Sequence, residues 1–255
     1  MLERFVIPES KLFNKVLTYK LKDVIPIIDY AVENSNKTKR FEDNFNRILD
    51  SYPYNVHALK LSGLNLSESA TSRLVKNARM NNCTLLIDAE DVKIQDRIEN
   101  ITNRIIAKPE NTHVFKTYQM YRKDAYSTLV KDIETYKTNL NIKLVRGAYM
   151  YTDKSSGKLY KKKEDTDFAY DKAIRLLCEN HDSVGQVIFA THNKKSFDLV
   201  KYTKNPNFYH ASLMGFDDKF QTGSIQRMVY IPFGPYYETY PYLIRRFFEN
   251  PIAFI

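Results

Sequence analysis

Eight short apolar runs, separated by longer stretches of mixed polarity, constrain the fold of this chain more than any other feature. The runs read VIPIIDYAV, VHALKLSGL, TLLIDAE, THVFKTYQMY, IKLVRGAYM, QVIFATHN, NFYHASLMG and MVYIPFG. Between them lie stretches such as NKTKRFEDNFNRILDSY, SESATSRLVKNARMNN, YSTLVKDIETYKTN and DTDFAYDKAIRLLCENH. Their apolar residues recur every three to four positions, the period of an amphipathic helix. Strand and helix in alternation imply a parallel sheet, and eight such units in 255 residues fit an α/β fold of the closed (β/α)8 TIM-like barrel type. A doubly wound open sheet is the structural alternative. The expected organisation is an N-terminal segment over residues 1–20 and one barrel domain over 21–255.

A barrel of this kind carries its chemistry at the C-terminal ends of its strands, so polar residues late in the apolar runs are the natural candidates. They are Lys60, Asp88, Gln119, Lys143, Arg146, Tyr149, Thr191, His192, Asn193 and Tyr230. Each has an ordinary explanation when taken alone: Asp88 as a helix cap, His192 as a core histidine, Lys60 as the partner of a nearby acid. Many such groups on one barrel are better explained by a shared polar ligand. The chain has no HExxH, no CxxC, no GxSxG elbow and no phosphate-binding GK[ST] loop, which sets aside the hydrolytic and metal routes those motifs serve.

Near the C-terminus, YLIRRFFEN sets Arg245 and Arg246 between aliphatic and aromatic residues. On a helix, Tyr242, Arg245, Arg246 and Glu249 share one face, and Thr239 with Pro241 marks the expected helix start. That face is either solvated or a clamp for a carboxylate or phosphate, which the planar guanidinium fork suits. The aromatic Tyr149, Tyr230 and Tyr242 with the cationic Lys60, Arg245 and Arg246 suit a small apolar body bearing a carboxylate, such as an amino acid.

Composition adds bounds. A formal charge of +9 permits an anionic partner of any kind, yet no nucleic-acid motif accompanies it, and none of that class is expected. The polar stretch YTDKSSGKLYKKKEDTD, with Lys161, Lys162 and Lys163, reads as a long solvated loop. Cys83 and Cys178 lie far apart within apolar patterns and read as reduced, buried thiols in a reducing compartment, cytoplasmic or mitochondrial. No run approaches the roughly 20 apolar residues of a membrane span, and the opening lacks a clear targeting segment.

The motifs LLIDAED, YQMY, KLVRGAYM, FATHN, YIPFGP and YLIRRFFEN together resemble the proline dehydrogenase family, in order and approximate spacing, from about residue 20 to 252. The resemblance implies a (β/α)8 barrel that binds FAD across its mouth and oxidises L-proline to Δ1-pyrroline-5-carboxylate. It implies that Arg245, Arg246 and Lys60 grip the substrate carboxylate and that Asp88 is the active-site aspartate. Ala148, Tyr149, Tyr230 and Tyr242 would enclose the ring, and Glu249 would hold the clamp in position. For the cofactor it implies Gln119 and Ala89 near the isoalloxazine, Lys143 as the cation beside its reactive nitrogen, and Arg146, Gly147, Ala148, Thr191 and His192 along the ribityl and phosphates. It further implies a quinone as electron acceptor, contact with a membrane surface, and preference for proline over 4-hydroxyproline, since Tyr230 would crowd a ring hydroxyl.

Two positions depart from the pattern: Lys143 stands where many bacterial members have Arg, and Ser212 where Gln is common. The chain also reads as a minimal, monofunctional member. The alternatives are another flavin barrel, such as methylenetetrahydrofolate reductase, and a catalytically silent FAD-binding protein.

Overall fold

Each of the eight apolar runs becomes one parallel strand in the computed structural model, which describes residues 4–33, 37–149, 153–216, 220 and 222–249. At residues 154, 236, 241 and 245–249 the backbone alone is described. The strands are β1 (Ile25–Tyr30), β2 (Val56–Leu59), β3 (Thr84–Ile87), β4 (Val114–Gln119), β5 (Asn141–Val145), β6 (Val187–Ala190), β7 (Phe208–Leu213) and β8 (Gln226–Phe233). They form a closed barrel in chain order.

The helices are α1 (Leu12–Lys20), α2 (Thr38–Ser51), α3 (Glu68–Met80), α4 (Val92–Ile106), α5 (Ala125–Tyr136), α6 (Lys163–Glu179), α7 (Lys194–Val200) and α8 (Tyr236–Glu249). Contacts gather the chain into two compact units, one of Met1–Asp88, Leu213–Lys219 and Met228–Ile255, the other of Ala89–Ser212 and Phe220–Arg227.

In the first unit the register sets which side chains face inward. β1 pairs with β2 through Ile28 and His57, and with β8 through Ile27 and Tyr230. Tyr30 and His57 point outward, packing on Phe41 and Phe45 of α2. By the two-residue period of a strand, Asp29 and Lys60 therefore face inward. The ladder continues one residue beyond β3, where the Asp88 N–H donates to the Leu59 carbonyl at 3.0 Å. The N-terminal segment belongs to this fold: Ile7 bridges Phe233, and Phe5 and Val6 are buried with Ala31, Phe216, Tyr242 and Leu243.

In the second unit Lys116 and Tyr118 point outward from β4, where both bond Asp132 of α5, at 2.5 and 2.7 Å. Thr117 and Gln119 consequently face the opposite way. α4 starts at Asp91, whose carboxylate accepts from the Lys93 N–H at 2.9 Å, so Asp91 and not Asp88 caps this helix.

Three expectations need correction. α8 starts one turn before Thr239: the Glu238 and Thr239 N–H groups both donate to the Pro235 carbonyl, which makes Tyr236 the first helical residue, and Thr239 is fully buried. The lysine-rich stretch is not solvated throughout. Lys163 opens α6, whose first turn carries Glu164 and Asp165 against the positive end of the helix. Asp153 is completely buried, accepting from the Val92 N–H at 3.0 Å and the Tyr121 hydroxyl at 2.6 Å. The cysteines are both free, Cys83 buried but Cys178 only partly so. Among the described residues no helix is long and apolar enough to cross a membrane.

Candidate active site

The inward-facing strand ends of the first unit gather charge. Lys60 is buried and its ammonium bonds Asp29, with Asp88 3.6 Å away. Tyr230 lies inward on β8, is 6 % exposed and donates its hydroxyl to Asp88. The Lys60 ammonium sits 5.9 Å from the centre of the Tyr242 ring, itself buried in α8. Burial alone would pull the Lys60 ammonium down, but Asp29, Asp88 and Glu33 outweigh it and hold the group above its ordinary value. Asp29 is raised by its burial and by the nearby charge of Asp88 and Glu33, against the opposing pull of Lys60. Burial, then Asp88 and Asp29, keep the Tyr230 phenol well above its usual range. The cluster thus holds a cation and a neutral phenol among more carboxylates than the cation can satisfy.

Asp29 was absent from the residues expected at the site. Its signal resembles that of Asp88: PIID within β1 and LLID across the end of β3 each set one acid directly after three apolar residues.

The second unit carries a different set. Gln119 is 3 % exposed, and its Nε2 donates to the Glu90 carbonyl at 3.2 Å. That carbonyl can only accept, which fixes the amide's orientation and leaves Oε1 buried with no partner among the described residues. Thr117 Oγ1, two residues earlier on the same inward side of β4, is likewise buried and unpartnered. Lys143 is buried on β5 in register with Thr117. After β5 the chain passes through Gly147 at φ +134°, and Ala148 and Tyr149 follow, partly buried. Ala89 is also partly buried.

Arg146 is engaged by its own chain. Nε donates to Asp167 at 2.7 Å, Nη1 to the Thr191 hydroxyl at 2.6 Å and Nη2 to the Ser196 hydroxyl at 2.7 Å, and the guanidinium lies 4.3 Å from the centre of the Tyr170 ring. The Thr191 oxygen also accepts from the Asn193 N–H at 3.0 Å. The structure therefore uses Arg146 first to order the loop after β6, with three of its five N–H donors spent among the described residues. His192 is exposed, its ring stacked 5.9 Å from Phe220. Ser212 is buried at the end of β7. The backbone of α8 carries Arg245, Arg246 and Glu249, but their side chains lie outside the described residues.

Lys60, Asp88, Tyr230 and Tyr242 are thus brought together with Asp29 in one unit, and Gln119, Lys143, Arg146, Gly147 and Thr191 belong to the other. Among the described residues no group of three or more His, Cys, Asp or Glu is placed to hold a metal.

The family model for proline dehydrogenase matches residues 13–253. Among curated relatives, the carbapenem antibiotics biosynthesis protein CarD of Pectobacterium carotovorum is 25 % identical over 272 residues, 89 % of this chain and 72 % of that one. Human mitochondrial proline dehydrogenase 1 is 29 % identical over 203 residues, covering 69 % of this chain and 34 % of the relative. Mouse hydroxyproline dehydrogenase is 31 % identical over 217 residues, covering 73 % and 47 %. The chain spans about a third to a half of the length of these last two. Among solved structures, proline utilization A of Bdellovibrio bacteriovorus superposes with a TM-score of 0.78 over 97 % of this chain and 32 % of that chain, at 14 % identity. That likeness is one of fold. With the family model spanning nearly the whole sequence, the chain belongs to the proline dehydrogenase family.

Proposed function

We propose that this protein oxidises L-proline to Δ1-pyrroline-5-carboxylate with bound FAD. The observation that carries the reading is the buried Asp29–Lys60 pair with the partly buried Asp88, beside Tyr230 and Tyr242, an environment for a small apolar ring that bears charge. Lys60 would supply one cation for the carboxylate, and Arg245 and Arg246 on α8 would complete the grip. Tyr230 and Tyr242 would cover the ring and exclude water, which strengthens each charged contact.

The second unit fits a flavin on its own chemistry. The unpartnered Gln119 Oε1 accepts an N–H, and Thr117 Oγ1 can donate or accept, as the N–H and carbonyls of an isoalloxazine require. Gly147, at φ +134°, lets the chain turn after β5 with the Tyr121 ring filling the place of a side chain. When bound, the flavin would supply the acceptor for the hydride, which carries both electrons of the oxidation. Lys143 would hold positive charge near the ring, and Ala89, Ala148, Thr191 and His192 would contribute backbone and side-chain contacts beside it. Arg146 would act chiefly by ordering Thr191.

The test is the visible spectrum of purified protein under anaerobic conditions. A flavin band that bleaches with L-proline is expected, with weaker response to 4-hydroxyproline because of Tyr230. Arg245→Met or Arg246→Met should keep the flavin yet need on the order of 10- to 150-fold more proline, the worth of one charge-assisted hydrogen bond. A folded, colourless protein that takes up no FAD would refute the cofactor, and wild-type proline titrations in both arginine variants would refute the clamp.

For the electron acceptor we favour a quinone reached at an anionic lipid surface. Phe13, Leu17 and Leu21 are 64 %, 45 % and 80 % exposed and form a stripe along and just beyond α1, bordered by Lys11, Lys20 and Lys22. Apolar side chains edged by lysines suit the interface of an anionic bilayer. Wild-type protein should cosediment with phosphatidylglycerol vesicles at low salt, and Phe13→Ser/Leu17→Ser should not. Equal sedimentation of the two proteins, or none by wild type, counts against the surface.

A further inference from the structure

We propose that Asp29 is the positioning residue for Lys60, anchoring its ammonium so that a remaining N–H is directed to the substrate carboxylate. This deepens the function proposed above and rests on it. A lysine has three donors on a flexible four-carbon stem, so a buried ammonium needs an anchor before it can act as a directed one. Asp29 is the group that bonds Lys60; Asp88, at 3.6 Å, is beyond hydrogen-bond reach and already accepts from Tyr230. Asp29 is itself 2 % exposed on β1 and cannot turn away into solvent. Among the described residues the groups facing Lys60 are Asp29 and Glu33 from β1 and the segment after it, Asp88 from just after β3, Tyr230 from β8 and the Tyr242 ring from α8. Without Asp29 the ammonium would swing towards Asp88, compete with the Tyr230 hydroxyl, and lose the charge that most strongly opposes its burial.

The probe is cyclopentanecarboxylate, which keeps the ring and carboxylate but has no amine to titrate. Its binding to the flavin-loaded protein is followed by calorimetry from pH 6 to pH 10, separately from turnover. Asp29→Asn is expected to weaken binding about 10-fold at pH 7 and to move the loss of affinity at alkaline pH downward, because Lys60 then gives up its proton more easily. Lys60→Met should weaken binding by about 10- to 100-fold, and the double variant should bind no more weakly than Lys60→Met alone, since Asp29 acts through Lys60. Should Asp29→Asn fail to fold, Asp29→Glu serves, with the carboxylate kept but displaced by a methylene and an intermediate loss expected. Wild-type affinity and pH dependence in the Asp29 variant, or its full loss repeated in the Lys60→Met background, overturns the positioning role alone. Failure of the wild-type protein to bind the carboxylate overturns the proposed function as well.

Discussion

Replacing Gly147 by alanine is expected to destabilise the protein by about 2–6 kcal/mol and to abolish flavin retention. Two costs combine. The residue sits at φ +134°, a conformation that side-chain-bearing residues rarely adopt, and holding one there costs about 1–3 kcal/mol. A Cβ would also lie 2.6 Å from Cζ of the Tyr121 ring, and closer still to two other ring carbons, an overlap of the kind that costs about 1–3 kcal/mol. The ring has little freedom to yield. It is 1 % exposed, and its hydroxyl bonds Asp153, whose other oxygen holds the first N–H of α4. Relief at Gly147 therefore means moving either the RGAY segment or the start of α4. In a chain of this size about 2–6 kcal/mol corresponds to a fall in melting temperature of roughly 5–20 °C. Tyr121→Leu in the alanine background should recover the overlap but not the backbone strain. A Gly147→Ala protein that melts within about 2 °C of wild type and stays yellow would show that the segment shifts freely.

The same segment shows how far the sequence could be read. All eight strands were legible, because a strand buried on both faces needs a continuous apolar run and little else in this chain supplies one. The cluster around Lys60 is partly legible, since Lys60, Asp88 and Tyr230 are polar residues set within or just after such runs; Asp29 lies within one too, but no distinctive motif surrounds it on β1. What sequence patterns do not encode is where donors are spent. Arg146, within KLVRGAYM, looks like a ligand contact by position, yet three of its donors serve Asp167, Thr191 and Ser196. Asp153 lies among lysines and serines whose composition suggests water, but long-range partners on β4's following loop and α4 bury it completely. The start of α8 is hidden in the sequence for a related reason. Thr239 has the chemistry of a cap, but the Pro235 carbonyl was available a turn earlier, and the threonine went into the interior.

Acid should unfold this protein well above the pH at which its paired carboxylates protonate, because each unit carries one buried histidine held neutral. His57 is fully buried; its Nε2 donates to the Tyr52 carbonyl at 3.1 Å and its Nδ1 has no partner among the described residues. His210 donates from Nε2 to the Thr191 carbonyl at 2.9 Å and packs against the rings of Phe197 and Phe220, 4.6 and 5.0 Å away. Burial pushes both imidazoles down to about 4, from an ordinary value of 6.5. For a histidine depressed in the folded state, the unfolded chain binds the proton first. The stabilisation is therefore complete above pH 6.5 and is lost as the pH falls from 6.5 towards 4. At pH 5 each histidine should have surrendered about 2 kcal/mol relative to pH 7.5, so about 4 kcal/mol together, a large part of a typical domain's stability. Asp29, raised by its burial, changes stability in the opposite sense, so the histidine share is isolated by variants. Urea unfolding of His57→Gln and of His210→Gln at pH 7.5 and pH 5 should each show a pH difference smaller than wild type by about 2 kcal/mol. If both variants lose as much stability on acidification as the wild-type protein, the two histidines are not what acid attacks, and the titration of the carboxylates must begin higher than their surroundings indicate.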